Sequence, residues 1–280
     1  MGFLIVSNPE AGSAEEGLAQ RALDLLPDAE PFALEPGADL GAAVEAAVEE
    51  GRVVVAAGGD GTISAAAQHL VGRGTLGVIP AGTRNHFARD LDVADEEAAL
   101  AALQEGKTSM IDVGRVGDRH FVNNVAVGLY PQLVEERERG EDRIGRWPAT
   151  IRAAFRVLRE SEPLVGTIEA DGDARHLGAW MVFVGNNRFA LRTGGPGSRE
   201  RLDEGVLDLR LLLIGTRARL AYRVLRGRAW ASKRFLRRDA ERVRVGLVDE
   251  RAIAVDGEVE DPVREAEIEI VPRALRVVVP

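Results

Sequence analysis

The sequence contains no cysteine and no apolar stretch long enough to cross a membrane. Without cysteine, disulfide bonds, thiolate metal sites and cysteine nucleophiles are all excluded. The longest apolar runs lie near residues 53–57, 98–103 and 209–214, whereas a membrane-spanning helix needs about 20 apolar residues. The N-terminus lacks the basic region and the small-residue cleavage site of a signal peptide, so we interpret it as a first strand. These absences fit a cytoplasmic protein.

Acidic residues outnumber basic ones, and the formal net charge is −9. This balance argues against a dedicated nucleic-acid-binding protein, so we expect no nucleic-acid partner. The exception is the segment of residues 217–244, which holds eleven basic residues and two acidic ones. Its apolar residues allow two interpretations: a surface helix with solvated arginines, or a face that contacts anionic lipid headgroups.

Two patterns divide the chain. Over the first 115 residues strands alternate with helices, and the β-branched run at residues 53–57, bounded by glycines, is typical of a buried parallel strand. Later strands, including 242–248, 252–255 and 267–271, are separated by turn signals, with helices predicted near 147–160 and 216–238. We predict an α/β domain with a parallel sheet at residues 1–114 and a β-rich domain at residues 115–272. The apolar C-terminal strand, residues 273–280, is expected to return to the first sheet.

The most informative local pattern is Gly-Gly-Asp-Gly-Thr at residues 58–62, between a strand and a helix. Its glycines allow positive φ and let backbone N–H groups approach an anion, and the helix N-terminus, capped by Thr62, adds partial positive charge. Asp60 would repel a bare phosphate, so we predict that it binds magnesium or accepts a proton from an attacking hydroxyl. The alternative is a tight turn with a capping aspartate, but three glycines exceed what a turn requires. The predicted phosphate-binding glycines are Gly58, Gly59 and Gly61.

Two further loops follow predicted strands in the same way. Thr83 and Asn85 follow the strand at residues 75–79, and Asn8 and Gly12 follow the first strand. In a parallel sheet the carboxyl ends of the strands share one edge, where ligands bind. We therefore predict that these residues face the same crevice as Asp60 and contact a nucleotide. Each loop taken alone is equally well explained as helix capping.

These motifs, in this order, resemble the diacylglycerol kinase catalytic domain. The resemblance rests on Asn8-Pro-x-x-Gly-Ser, Gly58-Gly-Asp-Gly-Thr and Pro80-x-Gly-Thr-x-Asn-x-Phe-Ala. It continues with Asp112, Phe121-x-Asn123, Glu204-Gly205-x-Leu-Asp and Asp256-Gly257-Glu258, and so extends over nearly the whole chain. The family includes bacterial lipid kinases and sphingosine kinases and is distantly similar to NAD kinases.

The resemblance implies a two-domain lipid kinase that uses ATP and Mg²⁺. A NAD-kinase-like α/β domain with a parallel sheet would be followed by a β-sandwich-like C-terminal domain. By analogy Glu258 would be the general base that deprotonates the lipid hydroxyl, Asp112 would support it, and Asp60 would order Mg-ATP. Asp60 and Glu258 could exchange roles, because phosphoryl transfer requires positioned carboxylates and charge neutralisation more than covalent help.

Several positions depart from the family pattern. Ser64 and Ala65 stand where the family usually has Asn-Glu. Glu204 replaces the usual aspartate at a position that some bacterial members use for a structural metal, so Glu204 joins Asp60 as a candidate metal ligand. Without the family context, Asp256-Gly257 would be interpreted as a hairpin turn.

The predicted function is a cytoplasmic, peripherally membrane-associated kinase that phosphorylates diacylglycerol or a related lipid. Candidate partners are the lipid at the membrane surface and a second copy of the chain. The alternatives are a soluble-substrate kinase of the NAD kinase type, and a catalytically silent protein that binds lipid or nucleotide. The presence of Asp60, Asp112 and Glu258 argues against the silent protein.

Overall fold

The computed structural model describes residues 2–9, 13–81, 85–93, 95–128, 162–192, 195–214 and 235–280. The helices are α1 (Ser13–Leu25), α2 (Leu40–Glu49), α3 (Asp60–Leu70), α4 (His86–Asp90) and α5 (Glu96–Glu105). The first eight strands are β1 (Phe3–Ser7), β2 (Ala29–Ala33), β3 (Val53–Gly58), β4 (Thr75–Pro80), β5 (Thr108–Val116), β6 (Arg119–Phe121), β7 (Asn124–Gly128) and β8 (Leu164–Ala170). The others are β9 (Asp173–Asn186), β10 (Phe189–Arg192), β11 (Gly195–Arg199), β12 (Leu207–Leu213), β13 (Phe235–Ala240), β14 (Arg242–Val255) and β15 (Glu258–Val278).

The N-terminal part is a parallel sheet in the order β2-β1-β3-β4. Every residue of β3 is buried, as its apolar, β-branched sequence predicts. Helices alternate with these strands, and their apolar residues join the strands in one core. Pairing of Val6 with Ala56 and of Gly58 with Pro80 brings the carboxyl ends of β1, β3 and β4 together at one edge.

The later strands are antiparallel and continue the same hydrogen-bonded sheet. β15 pairs antiparallel with β14 and β5, and its last residues pair parallel with β4 through Val277 and Leu76. Thirteen strands of the described residues are connected in this way, and β10 and β11 form a separate pair. The fold is mixed α/β and rich in strands. The strands predicted at 242–248 and 252–255 form a single strand, β14, and the one predicted at 267–271 is the middle of the much longer β15.

The helix predicted at residues 216–238 is wrong at its end, where residues 235–238 belong to strand β13. There Arg237 reaches Asp208 and Arg238 reaches Asp173. Asp208 lies on β12, with which β13 pairs, and Asp173 begins β9, so tertiary context overrides the local helical spacing. The rest of that predicted helix, and the helix predicted at 147–160, lie outside the described residues. Within the described ranges, no helix has the length and apolar character needed to span a bilayer.

Candidate active site

Residues 58–62, which we call the glycine loop, comprise the last residue of β3, Gly59 between the two elements, and the first turn of α3. Gly59 is the N-cap residue, with φ −83° and no side-chain cap, and the helix begins at Asp60. The predicted capping role of Thr62 is therefore wrong, because the helix starts two residues earlier and leaves Thr62 buried in its first turn. The loop glycines do not adopt positive φ. Because glycine has no side chain, these residues leave open space beside the N-terminus of α3.

That space is bordered by Glu258, the first residue of β15. A Cβ atom added to Gly61 would lie 3.6 Å from Oε1 of Glu258. The side chain of Glu258 is 51% exposed and forms an ion pair with Arg119, which also contacts Glu260. The structure thus brings together two predicted site elements that are far apart in sequence, and it adds Arg119, which sequence reasoning missed.

The carboxylate of Asp60 contacts the start of α4. Its two oxygens accept the backbone N–H groups of His86 and Phe87, each at 3.3 Å, which is long for an N–H···O bond. Asn85, the N-cap residue of α4, has φ 44°, and its amide oxygen is buried without a hydrogen-bond partner among the described residues. The carboxylate of Asp60 therefore lies close to Asn85, at the start of α4. Thr83 and Gly12, also predicted to contact the nucleotide, are outside the described residues.

Asn8 lies directly after β1, at the edge where β3 ends in the glycine loop. It is half-buried. The hydrogen bond from Leu34 N–H to the carbonyl of Ser7 ties the end of β1 to the residue after β2. Asn8 thus occupies the edge that the sequence predicts for it, and its nucleotide contact stays a prediction.

Asp256 and Gly257 connect β14 to β15 in a two-residue turn, with φ of 51° and 95°. Positive φ at both positions is the geometry that Asp-Gly favours in tight hairpins, so the hairpin interpretation of this dipeptide is confirmed. The turn sets the position of Glu258, which pairs with Val255 immediately after it.

The side chain of Asp256 does more than complete the turn. Its buried carboxylate accepts hydrogen bonds from the hydroxyl of Ser64 at 2.8 Å and from the backbone N–H groups of Val122 at 2.9 Å, Asn123 at 2.7 Å and Asn124 at 3.0 Å. Burial raises the pKa of Asp256, while these four bonds favour the ionised form and oppose the rise. Ser64 lies four residues after Asp60 on α3, so Asp256 fastens the turn that carries Glu258 to the helix that carries Asp60.

Asp112 and Glu204 have other partners. The buried carboxylate of Asp112 accepts the backbone N–H groups of Gly205 at 2.7 Å and Arg273 at 2.8 Å. Glu204 pairs with the Arg188 guanidinium at 2.6 Å and accepts the Arg188 backbone N–H at 3.1 Å. In the ranges that the structure describes, no three His, Cys, Asp or Glu side chains are grouped to hold a metal. The support of Glu258 by Asp112 stays a prediction, and the pairing of Glu204 with a guanidinium is a poor fit to a metal ligand.

Sequence reasoning also missed the partners that hold these groups in place. Ser64 was noted only as a departure from the family pattern, yet its hydroxyl contacts Asp256 across 192 residues of sequence. Arg199 and Asp90, a buried ion pair beside α4, lie 109 residues apart. No local pattern marks such pairs, because each residue alone looks like an ordinary surface charge.

This chain is similar in sequence to known proteins. The family described as "Diacylglycerol kinase catalytic domain" matches residues 2–116. A diacylglycerol kinase of Bacillus subtilis is 31% identical over 228 residues, which cover 78% of this chain and 74% of the relative. A diacylglycerol kinase of Staphylococcus aureus is 27% identical over 216 residues, covering 74% of this chain and 68% of the relative.

Solved structures extend the likeness to the fold. The crystal structure of a diacylglycerol kinase from Bacillus anthracis has a TM-score of 0.67 at 20% identity and covers 100% of this chain and 97% of its own. A NAD kinase from Archaeoglobus fulgidus, solved in complex with ATP, has a TM-score of 0.56 at 15% identity and covers 99% and 93% of the two chains. The relative from B. subtilis and the order of the motifs together show that this chain belongs to the diacylglycerol kinase family.

Proposed function

We propose that this protein is an ATP-dependent lipid kinase, which transfers the γ-phosphoryl group of Mg-ATP to a hydroxyl of diacylglycerol or a related lipid. The observation that carries this proposal is the position of Glu258 beside the glycine loop, where a Cβ atom added to Gly61 would lie 3.6 Å from Oε1 of Glu258. A carboxylate beside a phosphate-binding loop is the arrangement that phosphoryl transfer to an alcohol requires. Family membership supports the same reaction class.

ATP would bind at the edge formed by the ends of β1, β3 and β4. The backbone N–H groups at the start of α3 would contact its phosphates, since a helix N-terminus presents free donors and partial positive charge. Asn8 and Asn85 lie in the neighbouring loops and would contact the nucleotide, together with Gly12 and Thr83. The buried amide oxygen of Asn85, which has no hydrogen-bond partner in the part of the chain that the structure describes, supports a polar ligand here.

Asp60 fits a magnesium ion that arrives with ATP. Each of its oxygens accepts one long hydrogen bond, and a carboxylate offers about four lone-pair sites, so further ligand positions remain. Mg²⁺ in kinases is held by one or two carboxylates together with the substrate phosphates, so a larger cluster is unnecessary. When bound, magnesium would neutralise charge on the phosphate oxygens. Glu204 is not carried forward as a ligand, because it is paired with Arg188.

Glu258 is the residue we assign as the general base. It is exposed enough to meet an acceptor hydroxyl, and the rigid turn at Asp256 and Gly257 fixes its distance from the loop. Arg119, on β6, forms an ion pair with its carboxylate at the surface. Asp60 would order the phosphate donor while Glu258 accepts the proton of the attacking hydroxyl.

The finer organisation is also part of the proposal. We infer a NAD-kinase-like nucleotide domain at residues 1–114, joined by the C-terminal strand, and a β-sandwich-like lipid domain at residues 115–272. A cavity of about 200 Å³ in the later part is lined by leucines, including Leu209, Leu211 and Leu236, together with charged side chains such as Arg175 and Arg237. The leucines of this cavity support a lipid acceptor over a polar metabolite. We also propose that the enzyme is cytoplasmic and meets its substrate at the membrane surface.

The second candidate is a soluble-substrate kinase of the NAD kinase type. The likeness of the whole fold to the NAD kinase supports it. It differs from the lipid kinase in the acceptor alone, since donor binding at the glycine loop would be shared.

Transfer of labelled phosphate from ATP tests the proposal. Wild type is incubated with a panel of lipids in mixed micelles and with NAD, and the variants Asp60→Ala, Glu258→Ala and Glu260→Gln are compared. Glu260 is a matched control, because it shares Arg119 with Glu258 but lies two residues further along β15. We expect transfer to a lipid by wild type and Glu260→Gln, and its loss in the other two. Transfer that persists in both Asp60→Ala and Glu258→Ala would contradict the mechanism, and transfer only to NAD would favour the second candidate.

A further inference from the structure

Arg199, the last residue of β11, is a buried charge at the junction between α4 and the later strands. Its side chain is 0% exposed, and that of its partner Asp90, at the end of α4, is 2% exposed. The guanidinium Nε donates to Asp90 at 2.7 Å, and the Arg199 backbone N–H donates to the same carboxylate at 3.0 Å. An ion pair this deeply buried is costly to form unless the remaining donors are satisfied.

The remaining donors of Arg199 are satisfied by the β6–β7 connection and the end of β9. Nη1 donates to the carbonyls of Val122 at 2.5 Å and Asn186 at 3.0 Å, and Nη2 donates to the side-chain oxygen of Asn123 at 3.0 Å. The guanidinium also lies over the Phe189 ring, 4.9 Å from its centroid, and 5.9 Å from that of Phe87. Planar, multidentate bonding of this kind is a property of arginine that lysine does not reproduce.

These contacts belong to a ring of hydrogen bonds that begins and ends on α3, the helix that carries Asp60. Beginning at α3, Asp60 binds the first N–H groups of α4, which ends at Asp90. Arg199 then connects Asp90 to Val122 and Asn123, whose backbone N–H groups bind Asp256. The ring returns to α3 because Asp256 accepts the hydroxyl of Ser64. We call this the Arg199 ring; its side chains are Asp60, Ser64, Asp90, Asn123, Arg199 and Asp256.

We infer that Arg199 is a positioning residue, which sets the distance between Asp60 and the turn that carries Glu258 by tying α4 to the β6–β7 connection. The predicted effect on kcat rests on the proposed function, whereas the predicted effect on amide exchange rests on the hydrogen bonds alone. Asp60 is part of α3, and among the described contacts Asp256 is joined to α3 through the hydroxyl of Ser64. Without Arg199, the ring no longer joins α4 to the β6–β7 connection. We therefore expect Asp60, which binds the start of α4, to shift relative to Asp256, which binds that connection.

Arg199 touches neither Asp60 nor Glu258 in the described contacts, so its effect on them is indirect. A misplacement of about 1 Å at a phosphoryl-transfer site costs on the order of 100-fold in rate, because catalysis there depends on alignment. The ATP phosphates would bind mainly to the backbone at the start of α3, which Arg199 does not contact, while Asn85 at the N-terminus of α4 would add a single contact. Loss of Arg199 should therefore lower kcat much more than it changes the KM for ATP.

The first measurement is amide hydrogen exchange on Arg199→Met, which needs no activity. The amides of His86 and Phe87, bound to Asp60, and of Val122, Asn123 and Asn124, bound to Asp256, should exchange at least about tenfold faster than in wild type. The matched control is Arg210→Met, which removes another fully buried arginine, paired with Asp208 at 2.6 Å. In the control these five amides should keep their protection to within about threefold. Equal exchange in the two variants overturns the inference.

Arg199→Lys carries the test if Arg199→Met does not fold. Lysine keeps the charge beside Asp90 but cannot bind Asp90, Val122 and Asn123 together. We expect faster exchange at residues 122–124 and unchanged exchange at residues distant from the ring, such as β1. Wild-type protection at residues 122–124 in Arg199→Lys contradicts the ring.

The second measurement is the separation of kcat from KM in the transfer assay, per mole of folded protein. Arg199→Met should lose at least about tenfold in kcat with the KM for ATP changed by less than about threefold, and Arg210→Met should change neither beyond that limit. A kcat for Arg199→Met within threefold of wild type overturns the inference. If wild type transfers phosphate to no acceptor, the proposed function fails, while the exchange data still decide whether the ring exists.

Discussion

Asp256 makes more hydrogen bonds at the candidate active site than either of the carboxylates proposed for chemistry. Three of its four donors are backbone N–H groups, which cannot turn away. The hairpin turn alone explains the local sequence Asp-Gly, so the sequence does not predict that the Asp256 carboxylate also binds α3. Because Asp256 both forms the turn and binds it to α3, the backbone of Glu258, two residues later, is held in a fixed position.

Replacement of Asp256 by asparagine should lower the free energy of unfolding by about 2–3 kcal/mol, because the amide nitrogen would face donors in a buried position. Urea denaturation measures the change. Ser64→Ala is the matched control: it removes one hydrogen bond to the same carboxylate and should cost about 1 kcal/mol. Equal losses in the two variants would show that the backbone bonds to Asp256 carry little weight.

His120, on β6 beside Arg119, gives a pH-dependent prediction. Burial, together with the nearby charge of Arg115, lowers the pKa of His120 below its usual value. The folded state therefore binds the proton less tightly than the unfolded chain, and stability is lost as pH falls from the ordinary histidine pKa through the lowered one. Between pH 7.5 and pH 5, wild type should lose more unfolding free energy than His120→Gln. A loss of the same size in both would contradict this assignment.

At the residue scale, the sequence motifs were enough to predict Asp60, Asn85 and Glu258 as neighbours of one loop region. They were not enough to predict Ser64, Arg119 or Arg199. Motifs mark residues whose neighbours in sequence form a loop or a turn, whereas these three act through partners on other elements. The orientation of a long arginine side chain depends on packing that only the folded chain supplies.

Strands β8 and β14 approach each other closely at Gly166. A Cβ atom there would lie 2.0 Å from the carbonyl oxygen of Gly246, a backbone atom that cannot rotate away. Across the same pair, a Cβ atom on Gly246 would have its nearest neighbour, the carbonyl oxygen of Thr167, at 3.9 Å. The two glycines thus share a strand pair but differ in the space around them.

Gly166→Ala should destabilise the protein by about 1–3 kcal/mol, since the strands must separate to admit the methyl group. Gly246→Ala should be neutral or stabilising by up to about 1 kcal/mol, because alanine reduces the freedom of the unfolded chain. Thermal or urea unfolding of the pair measures the difference. Similar effects from both substitutions would contradict the close approach.

The alternation of strands and helices over the first 115 residues was predicted from sequence, because the helical and strand patterns there are distinct. The later strands were harder to bound. β14 was predicted as two strands, since its exposed middle lacks the apolar alternation of its ends, and β13 was predicted as helix. β14 pairs with β15 on both sides of this middle, and the pairing of β13 with β12 decides its strand conformation.

β15 connects the earlier and later parts of the molecule. It begins at Glu258, pairs with β14 and β5, and ends beside β4 in the core of the parallel sheet. Leu275, near its end, is 0% exposed in that core. A single strand that contributes to both regions should make their unfolding cooperative.

Leu275→Ala should therefore destabilise both regions together, by about 2–5 kcal/mol, the usual cost of truncating a fully buried leucine. Urea unfolding can be followed by the helical circular dichroism signal, whose described sources all precede residue 106, and by hydrogen exchange in β9. We expect the two midpoints to shift by the same amount. A shift confined to the helical signal would mean that the regions unfold independently.

The assignment of Glu258 as the general base beside the glycine loop is tested most directly with Glu258→Gln. In this variant ATP binding and phosphoryl transfer are measured separately. Glutamine keeps the size of the side chain and removes its basicity. The dissociation constant for ATP, from calorimetric titration, should stay within about threefold of wild type, while turnover with diacylglycerol should fall by about 10²–10⁴-fold. Turnover that stays near the wild-type value would contradict the assignment of Glu258 as the base.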